Sequence, residues 1–312
     1  MRVLLILLAG VSPAVLAQTQ SPKRGLVFIP NSDHPEDNQI WAQAGSDLTW
    51  YYNYQWEPSP AFEDVTQEQF EFVPMLWGVT DGTGFLDSIR NRIKSGRAIT
   101  HVLGFNEPDS PYSGGSNIQP SVAADVWVKN IAPLAEDGVQ LGLPACTGGW
   151  GGIPWLQQFL GNCSELISTE DEKKNCTYDF VNIHWYGNFE GLASHMGSYA
   201  AAFPNTPQWI TEYNLDHQDL PATESFYNIS AEYLDRMDSV GRYSLYGSFR
   251  PQDSNVGPNA VMLNEDGHLT NIGSWYLGVS KTAVTNPQSG GRRLAVQMGI
   301  FVFNLMLGIL LS

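Results

Sequence analysis

Positive charge is scarce in this sequence of 312 residues. Lysine and arginine together number 16, against 32 aspartate and glutamate residues, which gives a formal net charge of −16. Nucleic acids and anionic membrane surfaces bind proteins through clustered positive charge, so this balance argues against both as partners. Charged residues make up only 15% of the chain and apolar residues 43%. This composition excludes a globally disordered protein and provides a sizeable core.

Several motifs of common enzyme chemistry are also missing. The sequence contains no His-Glu-x-x-His, no Cys-x-x-Cys, no Gly-x-Ser-x-Gly and no phosphate-binding loop. The glycine-rich stretch 148–152 superficially resembles a nucleotide-binding loop, but Pro154 stands where the last glycine of that fingerprint belongs. We therefore expect no metal ion and no cofactor.

Cysteine is limited to three residues. In an oxidising compartment the near pair, Cys163 and Cys176, is predicted to form a disulfide that closes a polar loop. Cys146 would then be a small buried residue. Three sequons predict N-glycosylation of the surface, at Asn162, Asn175 and Asn228.

Long apolar runs occur only at the two ends of the sequence. At the first end, Arg2 precedes a short apolar run, and a small-residue site ends at Ala17. This pattern is typical of a secretory signal peptide over residues 1–17, cleaved after Ala17.

At the other end, residues 294–311 are almost wholly apolar and follow the pair Arg292-Arg293 and the small residues 289–291. A plain transmembrane anchor would place these arginines against the positive-inside tendency. The pattern instead favours a GPI-attachment signal over residues 290–312, with the attachment residue left open. The expected mature chain, residues 18–289, is a secreted monomer at the cell surface or wall that meets the membrane only through a GPI lipid.

Short apolar runs alternate with helical patterns along the mature chain. Eight strands are predicted, over residues 26–29, 48–52, 72–77, 99–105, 139–143, 180–185, 208–211 and 243–249. Helices are predicted around residues 85–93, around 122–126 with Ser121 as a candidate cap, and around 226–237. This alternation predicts a single α/β domain with the (β/α)8 TIM-barrel architecture. A doubly wound sheet has the same alternation and remains the alternative.

The barrel hypothesis places chemistry just after the strand ends. Glu107 follows the fourth predicted strand and Glu212 follows the seventh, so both carboxylates reach the same rim. Retaining glycosidases need two carboxyl groups about 5–5.5 Å apart, one to protonate the leaving oxygen and one to attack the anomeric carbon. The amide of Asn106 is placed to hold the sugar 2-hydroxyl, whose hydrogen bonds strengthen in the transition state.

A longer ordered series of motifs surrounds these carboxylates. It comprises residues 23–26, 50–54, 72–78, 104–109, 184–187, 210–213 and 266–270. The series resembles the fungal alkali-sensitive-linkage-type glycosyl hydrolases, glycoside hydrolase family 128, within the clan of retaining (β/α)8 glycosidases. It spans roughly residues 23–280, nearly all of the mature chain. Tyr54 departs from the family pattern, where tryptophan is expected, and a tyrosine there should still stack on sugar.

The resemblance implies a β-1,3-glucan substrate of the fungal cell wall, with Glu107 as acid/base and Glu212 as nucleophile. For catalysis at working pH, the pKa of Glu107 is expected to be raised by the charge of Glu212 and by aromatic desolvation. The candidate substrate-binding residues are Asn106, His184, Tyr186, Trp56, Trp77, Trp185, Tyr213 and Phe249.

Two other functions remain open at this point. A cell-wall transglycosylase would intercept the same glycosyl-enzyme with a second glucan chain in place of water. A glucan-binding wall protein would bind the polymer without turnover, and the presence of both Glu107 and Glu212 argues against it.

Overall fold

A computed structural model describes residues 21–43 and 45–278. The expected signal peptide over residues 1–17 and the expected GPI-attachment signal over residues 290–312 lie outside the described residues. In the described part of the chain, no helix combines the length and the apolar character that crossing a membrane requires.

Strands and helices alternate in one α/β domain. The strands are β1 (Gly25–Val27), β2 (Trp50–Tyr52), β3 (Glu71–Phe72), β4 (His101–Leu103), β5 (Gln140–Gly142), β6 (Val181–Tyr186), β7 (Gln208–Asn214) and β8 (Val240–Leu245). The α-helices are α1 (Gly84–Lys94), α2 (Pro120–Asn130), α3 (Gly152–Ile167), α4 (Phe189–Ala202), α5 (Leu220–Arg236) and α6 (Asn271–Leu277). Each of the eight predicted strands overlaps one of these strands.

The strands pair in parallel and in the order of the sequence. Three ladders are formed, by β1-β2-β3, by β4-β5 and by β6-β7-β8. Single parallel bridges join neighbouring ladders, at Met75–Leu103, Gly142–Phe180 and Arg24–Tyr243. The last bridge places the chain beside β1 against β8. A doubly wound sheet reverses its strand order part-way, and this order contains no reversal, so the alternative topology is not supported.

Successive side chains of each strand point to opposite faces of the sheet, and this divides the core into two layers. On β2, Trp50 and Tyr52 pack with one cluster that includes Trp209, whereas Tyr51 packs with the larger cluster that the helices cover. All three β2 side chains are buried. Strands of a parallel sheet are buried on both faces, which explains their continuous apolar and aromatic character.

Helix positions follow the apolar spacing, with one correction at a helix start. In α1 the buried residues include Phe85 and Ile89, as their spacing predicted. Helix α2 begins at Pro120 and its N-cap is Gln119, so Ser121 is not the cap. Proline is favoured at the first helical position because its fixed φ suits the helix and its missing N–H has no helical partner there.

The predicted disulfide joins Cys163 of α3 to Cys176, with a Cα–Cα distance of 5.5 Å. Cys146 is a free, buried cysteine, as expected. Of the predicted glycosylation sites, Asn175 and Asn228 are exposed and Asn162 is half-buried.

A charged cluster lies at the amino-terminal ends of the strands. The Arg242 guanidinium lies over the ring of Trp209, 4.5 Å from its centroid, and donates to Glu71 Oε2 at 2.5 Å. His101 Nδ1 lies 3.0 Å from Glu71 Oε1. Burial raises the pKa of the Glu71 carboxyl, but the His101 hydrogen bond and the Arg242 charge outweigh it and lower this pKa to about 2.

Replacement of Glu71 by Gln should remove a pH-dependent part of the stability. The depressed pKa contributes stability that is complete above the ordinary carboxyl value and is lost as the pH falls from there to about 2. We expect Glu71→Gln to lower the free energy of unfolding at pH 7 by roughly 3 kcal/mol, at about 1.4 kcal/mol per pKa unit. Urea unfolding at pH 7 and at pH 3 measures this.

The exposed residue Glu265 supplies the matched control. Glu265→Gln should unfold like the parent at both pH values. A Glu71→Gln deficit that stays the same size at pH 3 would contradict the electrostatic account.

Candidate active site

A cleft of about 390 Å³ opens where the strands end. It is lined by Tyr54, Trp77, Asn106, Glu107, Ser113, Gly114, Tyr186, Glu212, Asp216, Tyr246, Asn255 and Val256. These residues lie in β6 and β7 or in the loops that follow β2, β3, β4, β7 and β8. The cleft is therefore built from the carboxyl ends of parallel strands and the loops that follow them, the usual place for ligands in α/β folds.

Glu107 enters this cleft from the loop that follows β4. Its backbone N–H donates to Ala145 O at 2.7 Å, and its carbonyl accepts from Ser110 N at 3.0 Å. Its φ of 41° lies in the left-handed region, which costs a residue other than glycine of the order of 1–3 kcal/mol. The two backbone hydrogen bonds hold the residue in this conformation.

Glu212 lies within β7, and its carboxylate is almost fully enclosed, with 5% of the residue exposed. The Tyr54 hydroxyl donates to Oε1 at 2.6 Å, and the Tyr186 hydroxyl donates to Oε2 at 2.7 Å. The Tyr52 hydroxyl lies 3.3 Å from Oε1 and donates to Thr211 O at 3.0 Å. Both carboxylate oxygens of Glu212 are thus satisfied by tyrosine hydroxyls.

His184 of β6 lies between the two carboxylates. Its Nδ1 is 3.1 Å from Glu107 Oε1 and 3.6 Å from Glu212 Oε2. One carboxylate oxygen of Glu107, one of Glu212 and one ring nitrogen of His184 all lie within 4.8 Å of one another. The carboxylates are therefore about as close as in retaining glycosidases, where the separation is about 5–5.5 Å.

These three side chains are also of the types that bind metal ions. Among residues 21–43 and 45–278, they form the one group of His, Cys, Asp and Glu side chains close enough to hold a metal.

The charges of this group set where its proton lies. Burial lowers the pKa of His184, but the charge of Glu212 and the hydrogen bond with Glu107 outweigh it, so this pKa is raised above its ordinary value. Burial raises the pKa of Glu107, but the hydrogen bond and positive charge of His184 outweigh it and lower this pKa. The expected increase in the pKa of Glu107 is thus wrong for the free protein, because the imidazole lies between the carboxylates.

Several other predicted site residues reach the cleft. Trp77, 39% exposed, Asn106 and Tyr186 line it. Asn106 Nδ2 donates to Gly114 O at 2.9 Å, which fixes its amide. Trp56 lines a second cavity of about 340 Å³, which shares Tyr54 and Trp77 with the first.

Three predicted binding residues lie outside the cleft. Tyr213 is fully buried and packs against Phe226 and Tyr243, because it follows Glu212 directly on β7 and so points to the opposite face. Trp185 directly follows His184 on β6, so its side chain points to the face opposite that of His184. Its indole N–H donates to Asn188 O.

Phe249 is the third of these residues. It is buried, and its ring packs against Tyr246 with the centroids 5.3 Å apart. It does not line either cavity.

Sequence reasoning missed the hydroxyl contacts of Tyr52 and Tyr54 with Glu212. A period of two along β2 and its continuation indicates that residues 50, 52 and 54 share one face. That signal was present in the motif over residues 50–54.

Residues 25–276 match the sequence family described as the glycosyl hydrolase catalytic core. The chain belongs to this family. Alkali-sensitive linkage protein 1 of Schizosaccharomyces pombe is 30% identical to this chain over 267 residues, covering 82% of the chain. The match covers 44% of that relative, so the chain spans less than half of its length.

Solved structures of glycoside hydrolase family 128 share the fold. A curdlan-specific exo-β-1,3-glucanase of subgroup III from Blastomyces gilchristii, in complex with glucose, has a TM-score of 0.64 and 27% identity, and the match covers 83% of this chain and 99% of that chain. An oligosaccharide-binding protein of subgroup VII from Cryptococcus neoformans has a TM-score of 0.60 and 24% identity, and the match covers 84% of this chain and 94% of that chain. The predicted resemblance to the fungal alkali-sensitive-linkage-type glycosyl hydrolases of family 128 is confirmed.

The shared proton gives a direct prediction for His184. Glu107→Gln removes one of the charges that hold the proton on the imidazole, so the pKa of His184 should fall. A titration of the imidazole nitrogens by NMR measures this. An unchanged titration in Glu107→Gln would show that the two groups do not share the proton.

The same pKa shift affects the stability of the protein. Because the pKa of His184 is raised on folding, its contribution to stability is complete below the ordinary imidazole value and is lost as the pH rises through the raised pKa.

Proposed function

We propose that this protein is a retaining glycosidase that hydrolyses β-1,3-glucan, with Glu107 as acid/base and Glu212 as nucleophile. The proposal rests on one observation above all. One oxygen of Glu107, in the loop after β4, lies within 4.8 Å of one oxygen of Glu212, in β7, and both line an open cleft. This separation suits direct attack on the sugar better than attack by an intervening water.

The raised pKa of His184 and the lowered pKa of Glu107 favour the proton on the imidazole in the free protein, and the proposed reaction begins from that state. Glu212 attacks the anomeric carbon and loses its charge as the ester forms, while Glu107 protonates the departing glycosidic oxygen. The charge of Glu212 is one of the causes that hold the proton on His184. As this charge is consumed, the proton can pass through the 3.1 Å contact from Nδ1 to Glu107.

The second half of the reaction reverses these roles. Glu107, now a carboxylate, takes a proton from a water molecule that attacks the anomeric carbon of the glycosyl-enzyme. Glu212 separates from the sugar as a carboxylate, which accepts hydrogen bonds from the hydroxyls of Tyr54 and Tyr186.

The substrate assignment draws on the lining of the cleft and on a relative. Trp77 and three tyrosines, Tyr54, Tyr186 and Tyr246, line the cavity, and aromatic rings suit the flat apolar faces of sugars. The relative from Blastomyces gilchristii is named as a curdlan-specific exo-β-1,3-glucanase. We propose the same class of polymer as the substrate and partner of this chain.

The architecture that we propose is a closed (β/α)8 barrel. The parallel bridges between neighbouring ladders, including the one at Arg24–Tyr243, support closure. The proposal also includes secretion, glycosylation, attachment by GPI and a location at the cell surface or wall. These rest on the two terminal segments and the three sequons.

Release of sugars from a linear β-1,3-glucan tests this function. The parent protein should release oligosaccharides or glucose, and Glu212→Gln should reduce release below detection because no glycosyl-enzyme can form. Glu107→Gln should reduce the rate by about 10²–10⁴-fold, the usual contribution of general acid–base catalysis. Chromatography of the soluble products measures all three.

The control variant is Glu232→Gln, which makes the same change at an exposed position of α5. It should match the parent. Products longer than the substrate would favour the transglycosylase. Binding of the glucan by a folded parent without any product would overturn the glycosidase and favour a binding protein, like the oligosaccharide-binding neighbour.

A further inference from the structure

We propose that Tyr54 is a positioning residue of this reaction, whose hydroxyl fixes Glu212 Oε1 and stabilises the Glu212 carboxylate as it leaves the sugar. The inference rests on the proposed function of the site. It assigns to Tyr54 a role in the second half of the reaction, in addition to contact between its ring and sugar.

The hydrogen bonds around Glu212 make Tyr54 the main donor to Oε1. Its hydroxyl lies 2.6 Å from that oxygen, a short distance typical of a donor to a charged acceptor. Tyr52 is farther away, at 3.3 Å, and its one hydroxyl proton has a closer acceptor in Thr211 O at 3.0 Å. Tyr186 serves the other oxygen, Oε2.

The backbone that carries Tyr54 is held in an unfavourable conformation. Its φ of 60° is left-handed, which is uncommon for a bulky residue other than glycine. The side chain of Asn53 spans the turn, since Oδ1 accepts from Gln55 N at 3.2 Å and Nδ2 donates to Glu57 O at 3.0 Å. Met75 N donates to Gln55 O at 3.0 Å and ties the turn to the segment after β3.

Such strain persists only where surrounding contacts impose it, and it clusters at functional sites. Here the imposed conformation brings the Tyr54 hydroxyl to Glu212. The ring also packs edge-on against Tyr52, with centroids 5.2 Å apart. The position of the hydroxyl is therefore set by the turn and by packing, independently of any bound sugar.

Tyr54 remains a hydrogen-bond donor at any working pH. Burial, followed by the charge of Glu212, raises the pKa of Tyr54 well above its ordinary value. The residue therefore acts in its neutral form.

The two halves of the reaction need this donor differently. In the first half, Glu212 begins as a full anion and becomes a neutral ester, so a donor to the anion stabilises the starting state most. In the second half, the bond between the Glu212 oxygen and the anomeric carbon breaks and its electron pair stays on Glu212. Water oxygen bonds to that carbon, and its proton goes to Glu107. A donor aimed at the developing anion lowers this second barrier.

Loss of the hydroxyl should therefore slow the second half selectively. With a dinitrophenyl β-laminaribioside, whose leaving group needs little acid assistance, Tyr54→Phe should lower kcat by about 10–100-fold, in line with a hydrogen bond to a charged group. KM should fall as well, because the glycosyl-enzyme accumulates. Mass spectrometry of acid-quenched protein should show the covalent sugar in this variant and not in the parent.

Tyr51→Phe is the matched control, because Tyr51 lies on β2 just before the turn that carries Tyr54 and packs against Phe62 and Phe70 on the opposite face. It should match the parent. Tyr54→Met keeps a long apolar side chain at this position but has no hydrogen-bond donor. It should accumulate the same intermediate, and it serves as the test if Tyr54→Phe fails to fold.

The outcomes separate this inference from the proposed function. A parent without glycosidase activity would contradict the proposed function itself. An active parent with Tyr54→Phe at parental kcat would overturn the inference alone. A loss of kcat/KM with higher KM and no covalent intermediate would also overturn it, since it would assign Tyr54 to sugar stacking only.

Discussion

Two carboxylates whose nearest oxygens lie within 4.8 Å of each other in a protein cleft repel strongly unless a proton or positive charge lies between them. In this protein the imidazole of His184 lies between them, in a fully buried position on β6, and supplies that charge when it is protonated. The charge of His184 therefore depends on both carboxylates of this three-residue unit, since each of them raises its pKa. The remaining features of the cleft serve to hold this unit in place.

The tyrosines around Glu212 illustrate the point. A carboxylate buried in β7 would be costly to keep ionised without donors, and Tyr54 and Tyr186 supply one to each oxygen. Glu107, which is more exposed, has the hydrogen bond to His184 instead. The two carboxylates have the same chemistry but different surroundings, and this difference supports the roles that we propose, Glu212 as nucleophile and Glu107 as acid/base.

The sequence predicted the positions of both carboxylates because strand ends can be located from apolar runs, and parallel strands bring their carboxyl ends together. It failed where the outcome depended on which face of a strand a residue occupies. Tyr213 was expected in the cleft and lies on the far face, next to Glu212 on the same strand. The pKa of Glu107 could not be predicted either, since its direction depends on the 3.1 Å contact with His184.

Backbone strain at the cleft follows from the same requirement. Glu107 and Tyr54 both have left-handed φ values, 41° and 60°, and both carry atoms of the hydrogen-bonded unit. Each belongs to a loop that follows a strand, where the chain must turn away while one side chain continues to point into the cleft. Glycine would relieve the strain but would remove the carboxyl or the hydroxyl. The fold therefore retains residues that are unfavourable for stability at both positions, and the backbone hydrogen bonds of the two turns compensate for them.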